Sequence, residues 1–317
     1  MSNNKDFKIK NGIKPTAYQE TLGTVVSGSE GYSISSAAYD SVSFNVSAQD
    51  GTPLGLFFKP DGTKMYVVGF DGQDVNEYNL STAWDISTAS YSQNFSTSTQ
   101  EISPKSVYFK SDGLKMYIVG YTGDAVHEYN LSTAWDISTS SFVQSFSVSS
   151  QDAVPMGLFF KTDGTKMFIS GNSTNSVYEY GLSTAWNVST ASFTQSFSVA
   201  TQDTGPYGLS FKPDGTKMYV SGIVAQAVHE YSLSTAWNIS TAVSSLSFST
   251  STQDTSPQNI FFKSDGLKMY LLGGSGKNIY QYSTALSTAQ LDLSTGSVFD
   301  YTPTSNVQVT LTNPAAS

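Results

Sequence analysis

Residues 59–69 read Lys-Pro-Asp-Gly-Thr-Lys-Met-Tyr-Val-Val-Gly, and the phrase Lys-x-Asp-Gly-x-Lys-Met within them occurs five times at a constant spacing of 51 residues. The five copies begin at Lys59, Lys110, Lys161, Lys212 and Lys263. A proline keeps the same period from Pro53 to Pro257, and a glycine keeps it from Gly69 to Gly273. A fixed period of about 50 residues is typical of solenoids, arrays and propellers, in which each unit packs against its neighbours.

Each repeat has the pattern of four β-strands. The apolar runs 55–59 and 64–69 flank an Asp-Gly turn, which favours a hairpin because glycine takes positive φ without steric cost. A polar loop leads to residues 75–80, and residues 91–95 form the fourth strand. No apolar stripe of helical period is long enough for a sizeable helix. The sequence therefore predicts an all-β, five-bladed β-propeller of four-stranded blades.

The ends of the repeat array predict how the ring closes. Residues 41–50 match the tail of a repeat, such as residues 146–152, yet precede the first complete repeat, and the fifth repeat loses the pattern after Tyr282. We therefore expect residues 41–47 to form the outermost strand of the last blade, which removes open sheet edges. The alternative is an open array that closes with another chain. The expected domains are an attachment arm (1–34), the propeller (35–288) and a C-terminal β-type segment (289–317).

The two faces of such a propeller differ in how closely the repeats agree. The Lys-x-Asp-Gly and Leu-Ser-Thr-Ala-Trp turns are nearly identical and share one face, here called the Asp–Gly face. The loops before each first strand and between the second and third strands, such as residues 70–74, diverge and share the opposite face, here called the variable face. Loops on rigid scaffolds tend to carry binding residues, so we expect recognition at the variable face. The alternative is that these loops are merely unconstrained. The candidate ligand-binding residues are Asp71, Asp74, Tyr121, Asp124, Asn172, Asn175 and Tyr207.

Two sets of repeated residues each allow two interpretations, and a pair of histidines raises the question of a metal site. The tryptophans Trp84, Trp135, Trp186 and Trp237 either stack on sugars or, as we favour, fill the seams between blades. The carboxylates Asp50, Glu101, Asp152, Asp203 and Asp254 either hold a cation or, as we favour, bond the amides of neighbouring turns. The histidines His127 and His229 occupy equivalent positions two blades apart, too far to share one metal ion.

Catalysis is not expected from these residues. A glycoside hydrolase needs two carboxylates that face one sugar, whereas Asp71, Asp74 and Asp124 lie in loops of neighbouring blades without an arginine or histidine beside them. No nucleophile elbow, P-loop or metal-ligand spacing is present. We therefore predict that the protein is not an enzyme and has no cofactor or metal.

Composition limits the partners. The chain has no cysteine, so neither disulfides nor thiolate chemistry is available. No apolar stretch approaches the roughly 20 residues of a membrane span, which argues against membrane insertion. The net charge is −9 and arginine is absent. Because bidentate contacts to phosphate and guanine favour arginine, nucleic acid is a poor partner.

Three phrases of the chain resemble virion proteins of marine tailed phages, including cyanophages. They are the repeat Val-His-Glu-Tyr-Asn-Leu-Ser-Thr-Ala-Trp-Asp-Ile-Ser-Thr at residues 126–139, the opening at residues 4–13, and Leu-Asp-Leu-Ser-Thr-Gly at residues 291–296. The resemblance is to tail-fibre-like propeller-repeat proteins and covers nearly the whole chain. It implies a virion structural protein of the tail fibre or capsid surface that functions outside the host cell, with no catalytic residues.

The resemblance also sets the expected function and partners. We expect a fibre or appendage protein, an adhesin that contacts a host-surface carbohydrate through the variable face. The alternative is a purely structural spacer or capsid decoration protein without a specific ligand. The arm, with lysines at positions 5, 8, 10 and 14, is expected to attach to other virion proteins. A homo-oligomer is expected as well, a trimer by analogy with fibres.

Overall fold

The computed structural model is a ring of five four-stranded antiparallel sheets, and it describes residues 31–284 together with the strand segments 287–292 and 307–312. The predicted all-β, five-bladed propeller is confirmed. In the first four blades the strands follow chain order from the axis to the rim. The innermost strands of neighbouring blades contact one another around the axis.

The strands of each blade are given from the axis outward. Blade 1 comprises β2 (Pro53–Phe58), β3 (Lys64–Gly69), β4 (Asp74–Leu80) and β5 (Ala89–Ser96); blade 2 comprises β6 (Pro104–Phe109), β7 (Lys115–Gly120), β8 (Ala125–Leu131) and β9 (Ser140–Ser147). Blade 3 comprises β10 (Pro155–Phe160), β11 (Lys166–Gly171), β12 (Ser176–Leu182) and β13 (Ala191–Ser198); blade 4 comprises β14 (Pro206–Phe211), β15 (Lys217–Gly222), β16 (Ala227–Leu233) and β17 (Ala242–Ser249). Blade 5 comprises β18 (Pro257–Phe262), β19 (Lys268–Gly273), β20 (Asn278–Ser283) and, outermost, β1 (Ala38–Asn45).

Short 3-10 turns precede the outermost strands. They span Ile34–Ser36, Ile86–Thr88, Ile137–Thr139, Val188–Thr190 and Ile239–Thr241. Asp85 caps the second of them by accepting a hydrogen bond from the amide of Ser87. Such a cap satisfies an amide that the short turn leaves without a backbone partner. Within the described residues, no helix is long and apolar enough to cross a membrane.

The hub around the axis depends on small residues that let the inner strands approach. A Cβ atom on Gly157 would lie 2.5 Å from the carbonyl oxygen of Tyr207 in the next blade. The hydroxyl of Ser170 accepts a hydrogen bond of 2.7 Å from the Gly157 amide and donates one to the Tyr207 carbonyl. The inner strands are therefore fixed to one another by backbone contacts, which hold their side chains at defined positions around the axis.

Each tryptophan fills a seam between two blades. Trp84 has a φ of +67° and covers the Asp-Gly turn, where a Cβ atom on Gly62 would come within 2.4 Å of the indole. The Trp84 carbonyl accepts a hydrogen bond of 2.6 Å from the hydroxyl of Tyr270 in the preceding blade. Its ring stacks on Phe58 at 5.6 Å. The same packing recurs at the other three tryptophans, so the seam interpretation is confirmed.

The N-terminal strand closes the ring as predicted. β1 pairs with β20 in antiparallel register, with Phe44 opposite Ile279. Ahead of it, Tyr32 takes the tryptophan position of the fifth seam. Its amide donates to the carbonyl of Gly266 at 2.7 Å, and its carbonyl accepts from the hydroxyl of Tyr219 at 2.5 Å. Here we call residues 32–45 the clasp.

The clasp shifts the expected domain boundary. Tyr32 and Ile34 are buried in the propeller core, so packed chain begins before the predicted boundary at residue 35. Residues 1–30 of the expected attachment arm lie outside the described residues. Of the expected C-terminal segment, the structure describes β21 (Ser287–Asp292) and β22 (Val307–Thr312), which pair in parallel. Residues 285–286, 293–306 and 313–317 lie outside the described part of the chain.

Candidate functional site

The seven predicted ligand-binding residues lie in four blades, in the loops of the variable face or at the strand ends next to them. Asp74 is 5% exposed and accepts hydrogen bonds from the side-chain amides of Asn76 at 2.7 Å and Asn94 at 2.6 Å. Both donors lie on strands of the same blade. Asp74 therefore ties its loop to the sheet, and its carboxylate is already occupied by internal bonds.

Asp124 and Asn175 occupy one equivalent turn position. Their φ angles are +44° and +54°, in the left-handed region that Asp and Asn tolerate better than most residues. The Asn175 amide, oriented to satisfy its neighbours, donates to the carbonyls of Thr204 and Asn172. Burial raises the pKa of Asp124, and the nearby charge of Glu101 adds to the effect. These two residues therefore shape turns.

The remaining four candidates differ in exposure. Asp71 is exposed and accepts a hydrogen bond of 3.1 Å from the hydroxyl of Thr52. Asn172 and Tyr207 are half-buried, and Tyr207 belongs to the inner strand of blade 4. Tyr121 is 48% exposed. All four residues thus remain partly or fully accessible at the variable face.

Tyr121 lies beside Lys105, a residue that the candidate set did not include. The Lys105 Nζ atom lies 5.4 Å from the ring centroid of Phe70 and 5.8 Å from that of Tyr121. Burial lowers the pKa of Lys105, while the charge of Glu101 acts in the opposite direction. Two aromatic rings around an ammonium form a cation–π contact, which stabilises the seam between blades 1 and 2.

The carboxylates at the blade junctions bond turn amides, as we favoured from the sequence. Asp50 accepts hydrogen bonds from the amides of Thr52 at 2.6 Å and Gly72 at 2.8 Å. Glu101 lies 3.6 Å from Nε2 of His127 in blade 2, and Asp203 lies at the same distance from His229 in blade 4. Among residues 31–284, no group of three or more histidine, aspartate or glutamate side chains is arranged to hold a metal ion.

A cavity of about 210 Å³ lies on the axis and opens at the Asp–Gly face. All five blades contribute residues of their inner strands to its wall. Exposed turn residues surround the mouth: Pro60, Thr162, Pro213 and Ser264. Tyr32 and Trp84 also line it. Solvent can therefore reach the cavity from the face on which the repeats are most alike.

Four aromatic residues and one serine occupy the same inner-strand position in the five blades. The Phe57 ring lies 5.2 Å from Tyr108 and 5.3 Å from Phe261, and Tyr108 lies 5.4 Å from Phe159. Ser210 stands between Phe159 and Phe261 and breaks this series of ring contacts. We call the five residues the axial ring. Its gap, the space that a fifth aromatic side chain would fill, adjoins the cavity.

Three small polar side chains of the inner strands also line the cavity. They belong to Ser106, Ser210 and Asn259, which are 2%, 6% and 5% exposed. Ser106 and Asn259 precede members of the axial ring by two residues, so they share a face of the inner strand with them. None of the three side chains makes a hydrogen bond within residues 31–284. The lining residues in this part of the chain include no charged side chain.

The axial cavity was not anticipated from the sequence, although a signal was present. Residues 57, 108, 159, 210 and 261 are in register with the 51-residue period and read Phe, Tyr, Phe, Ser and Phe. The predicted site rested on diversity in the loops, whereas this signal is a single polar substitution in a buried strand. A serine at a position that is aromatic in the other four blades leaves unfilled the space of one aromatic side chain near the axis.

Comparisons with solved structures return other propellers. One is a protein of Bacteroides uniformis assigned as a 6-phosphogluconolactonase, with 13% identity and a TM-score of 0.47 over 73% of this chain and 67% of that one. A periplasmic gluconolactonase of Pseudomonas aeruginosa has 16% identity and a TM-score of 0.45 over 73% of this chain and 66% of that one. A protein of Lactobacillus plantarum has 14% identity and a TM-score of 0.47 over 81% and 72%. No protein-family model and no curated protein matches the sequence.

These comparisons correct two expectations from the sequence. The expected virion fibre or appendage, together with its alternative of a structural spacer, is wrong, and so is the prediction that the protein is not an enzyme. The finding against both is that the propellers reported above include gluconolactonases. At 13–16% identity and TM-scores of 0.45–0.47, the likeness assigns neither an activity nor a substrate to this chain.

Proposed function

We propose that the protein is a small-molecule-binding propeller that holds one neutral, ring-shaped molecule in its axial cavity. The observation that carries the proposal is Ser210, which interrupts the axial ring and lies beside a solvent-accessible cavity of about 210 Å³. Concave, mostly apolar sites with a few polar groups are where proteins bind small molecules. The axial cavity has this composition.

The size of the cavity limits the ligand. An apolar cavity of about 150 Å³ is large enough to hold benzene. A volume of about 210 Å³ therefore accommodates a six-membered ring with one or two small substituents. Larger ligands, such as oligosaccharides or nucleotides, exceed the enclosed space.

The wall of the cavity favours an aromatic or otherwise apolar ring. The axial ring already contains three edge-on contacts, which join Phe261 to Phe57, Phe57 to Tyr108 and Tyr108 to Phe159, and the gap at Ser210 leaves the series open between its two ends. A bound ring can take the place of the missing side chain, since aromatic pairs contribute about 0.5–1.5 kcal/mol beyond the burial of area. For a ligand of this size we expect dissociation constants on the order of 10 μM to 1 mM.

The test is calorimetric titration of p-cresol (4-methylphenol) into the full chain and two serine-to-phenylalanine variants. Ser210→Phe gives blade 4 the aromatic residue of the other blades at the axis and fills the gap. Ser244→Phe is the matched control. It too replaces a serine of blade 4 by the kind of aromatic residue that other blades carry at the equivalent position, which are Tyr91, Phe142 and Phe193. Ser244, however, is exposed on the outermost strand of the blade.

We expect the wild type and Ser244→Phe to bind p-cresol with equal affinity, and Ser210→Phe to lose binding by at least tenfold. The thermal unfolding midpoint of each protein establishes that the variants are folded. Binding that survives in a folded Ser210→Phe variant would place the site away from the axis and defeat the proposal.

A further inference from the structure

Three small polar side chains in the wall of the axial cavity have no hydrogen-bond partner in the described part of the protein. The side chains of Ser106, Ser210 and Asn259 make no hydrogen bond to any group in residues 31–284, although each is more than nine-tenths buried. Buried polar groups in folded proteins are nearly always hydrogen-bonded, to protein, water or ligand. Because these three residues line the cavity, their polar groups are available to an occupant there, either water or a ligand.

Asn259 is the most informative of the three. At its position in the repeat, blades 1, 3 and 4 carry Gly55, Gly157 and Gly208, and blade 2 carries Ser106. Glycine suits this position because neighbouring inner strands approach closely there; a Cβ atom on Gly208 would lie 2.6 Å from Cα of Asn259. A four-atom amide is thus placed where most blades carry no side chain at all, on the same strand face as Phe261.

The chemistry of an amide indicates what it binds. The asparagine side chain offers a carbonyl acceptor and two N–H donors. A hydroxyl group is complementary to it, because a hydroxyl both donates and accepts. Methyl groups and halogens would leave the amide unpaired, which costs free energy in a buried site.

The absence of charged residues from the described lining argues against anionic and cationic ligands. Within the described chain, the cavity is lined without any lysine, arginine, histidine, aspartate or glutamate. A carboxylate or ammonium group brought into it would lose its hydration without gaining a counter-charge, and this desolvation is unfavourable. The ligand is therefore neutral at its polar end.

We infer that the axial cavity is a site for phenols, with the aromatic ring in the gap of the axial ring and the hydroxyl group hydrogen-bonded to Asn259. The inference rests on the proposed function and adds the ligand class. Binding needs no covalent step, and water is displaced from the cavity when the ligand enters.

The experiment compares three probes of similar shape: p-cresol, toluene and 4-methylbenzoate. Each is titrated into the wild type, Asn259→Gly and Asn259→Leu. Asn259→Gly adopts the residue of three other blades and is therefore compatible with the fold, while Asn259→Leu keeps the side-chain volume and removes the amide. Asn79→Gly is the matched control, because Asn79 is exposed on β4 and blade 3 carries Gly181 at the equivalent position.

We expect the wild type and Asn79→Gly to bind p-cresol about three- to tenfold more tightly than toluene, as one buried hydrogen bond allows, and to show no binding of 4-methylbenzoate. Both Asn259 variants should bind p-cresol and toluene equally. If the wild type binds toluene as tightly as p-cresol, the phenol inference is overturned while the proposed binding function stands. If neither p-cresol nor toluene binds, the cavity holds water only and both are overturned.

Discussion

Lys268 and Asp40 lie 228 residues apart in sequence and form an ion pair across the closure of the ring, with 2.6 Å between Nζ and Oδ2. In blade 1 the equivalent Lys64 pairs at 2.7 Å with Glu77, which lies on the third strand of its own blade. The third strand of blade 5 carries Gln281 at that position, and Gln281 donates a hydrogen bond of 2.9 Å to Asp40. In blade 5 the carboxylate that pairs with the lysine therefore comes from the clasp and not from the third strand of the blade. This difference makes blade 5 complementary to β1.

A double-mutant cycle tests this complementarity. Asp40→Ala should lower the free energy of unfolding by about 1–2 kcal/mol, because it removes the carboxylate to which both Lys268 and Gln281 donate. Gln281→Glu alone should also destabilise the protein, since it places a second carboxylate beside Asp40. In the Asp40→Ala background, however, Gln281→Glu should be stabilising, since Lys268 regains a partner. Chemical denaturation of the four proteins measures the cycle, and simple additivity would contradict it.

The second prediction concerns the Asp-Gly turns and the tryptophans above them. Gly62→Ala should destabilise the protein by about 2–4 kcal/mol, because alanine resists the φ of +75° and its Cβ atom would displace the indole of Trp84. Gly181→Ala is the control: its Cβ atom would meet only Thr194 Oγ1, at 3.6 Å, and strand alanine is favoured over glycine. Equal effects of the two substitutions on the free energy of unfolding would show that the seam does not depend on the turn glycine.

The third prediction concerns acid stability. Burial would raise the pKa of Glu101, but the nearby His127 side chain and hydrogen bonds from the amides of Ser103 and Gly123 outweigh it and hold the pKa at about 2, below the ordinary 4.5. A carboxylate with a lowered folded pKa stabilises the protein above the unfolded pKa and loses that contribution as the pH falls. The stability advantage of wild type over Glu101→Gln should therefore shrink between pH 4.5 and 2.

Asp50 provides a control for the acid measurement, because its pKa is shifted in the opposite direction from that of Glu101. Burial raises its pKa despite bonds from the amides of Gly72 and Thr52, so ionisation of Asp50 disfavours the fold. Its contribution is greatest when it is protonated and falls as the pH rises through the folded pKa. Relative to wild type, Asp50→Asn should thus show the opposite pH trend from Glu101→Gln in urea titrations. Parallel trends would mean that the two junction carboxylates are in equivalent environments.

The fold was predictable because the same strand and turn pattern occurs five times in the sequence. The constant 51-residue period, the Asp-Gly turns and the displaced half-repeat before Pro53 together determine the blade number and the closing strand. The role of Tyr32 was less visible. Tyrosine replaces tryptophan there, and the register of β1 shifts between Tyr39 and Ser43, with Ser41 at a φ of +60°, so the clasp departs from the spacing of the other repeats.

The candidate site was only partly predictable because sequence diversity in a loop does not show which way a side chain points. Asp74 and Asn175 are polar and vary between repeats, yet Asp74 is bonded to strands of its own blade, and Asn175 is bonded to the backbone of its own loop and of the loop that leads into blade 4. Asn259 and Ser210 are equally variable, but they lie in strands whose neighbours are apolar. Their importance depends on an axial cavity, and that cavity becomes visible only when five inner strands are placed around one axis.

The most direct measurement is the position of a phenol in the protein. Crystals of the full chain are soaked with 4-bromophenol, and the bromine is located from its anomalous scattering. We predict one dominant peak inside the axial ring, in the gap beside Ser210 between Phe159 and Phe261, with the phenol hydroxyl within hydrogen-bonding distance of Asn259. Crystals of Ser210→Phe should lack this peak. Bromine found only on the variable face or at the rim, with an empty axial cavity in the wild type, would contradict the assignment of this cavity as the ligand site.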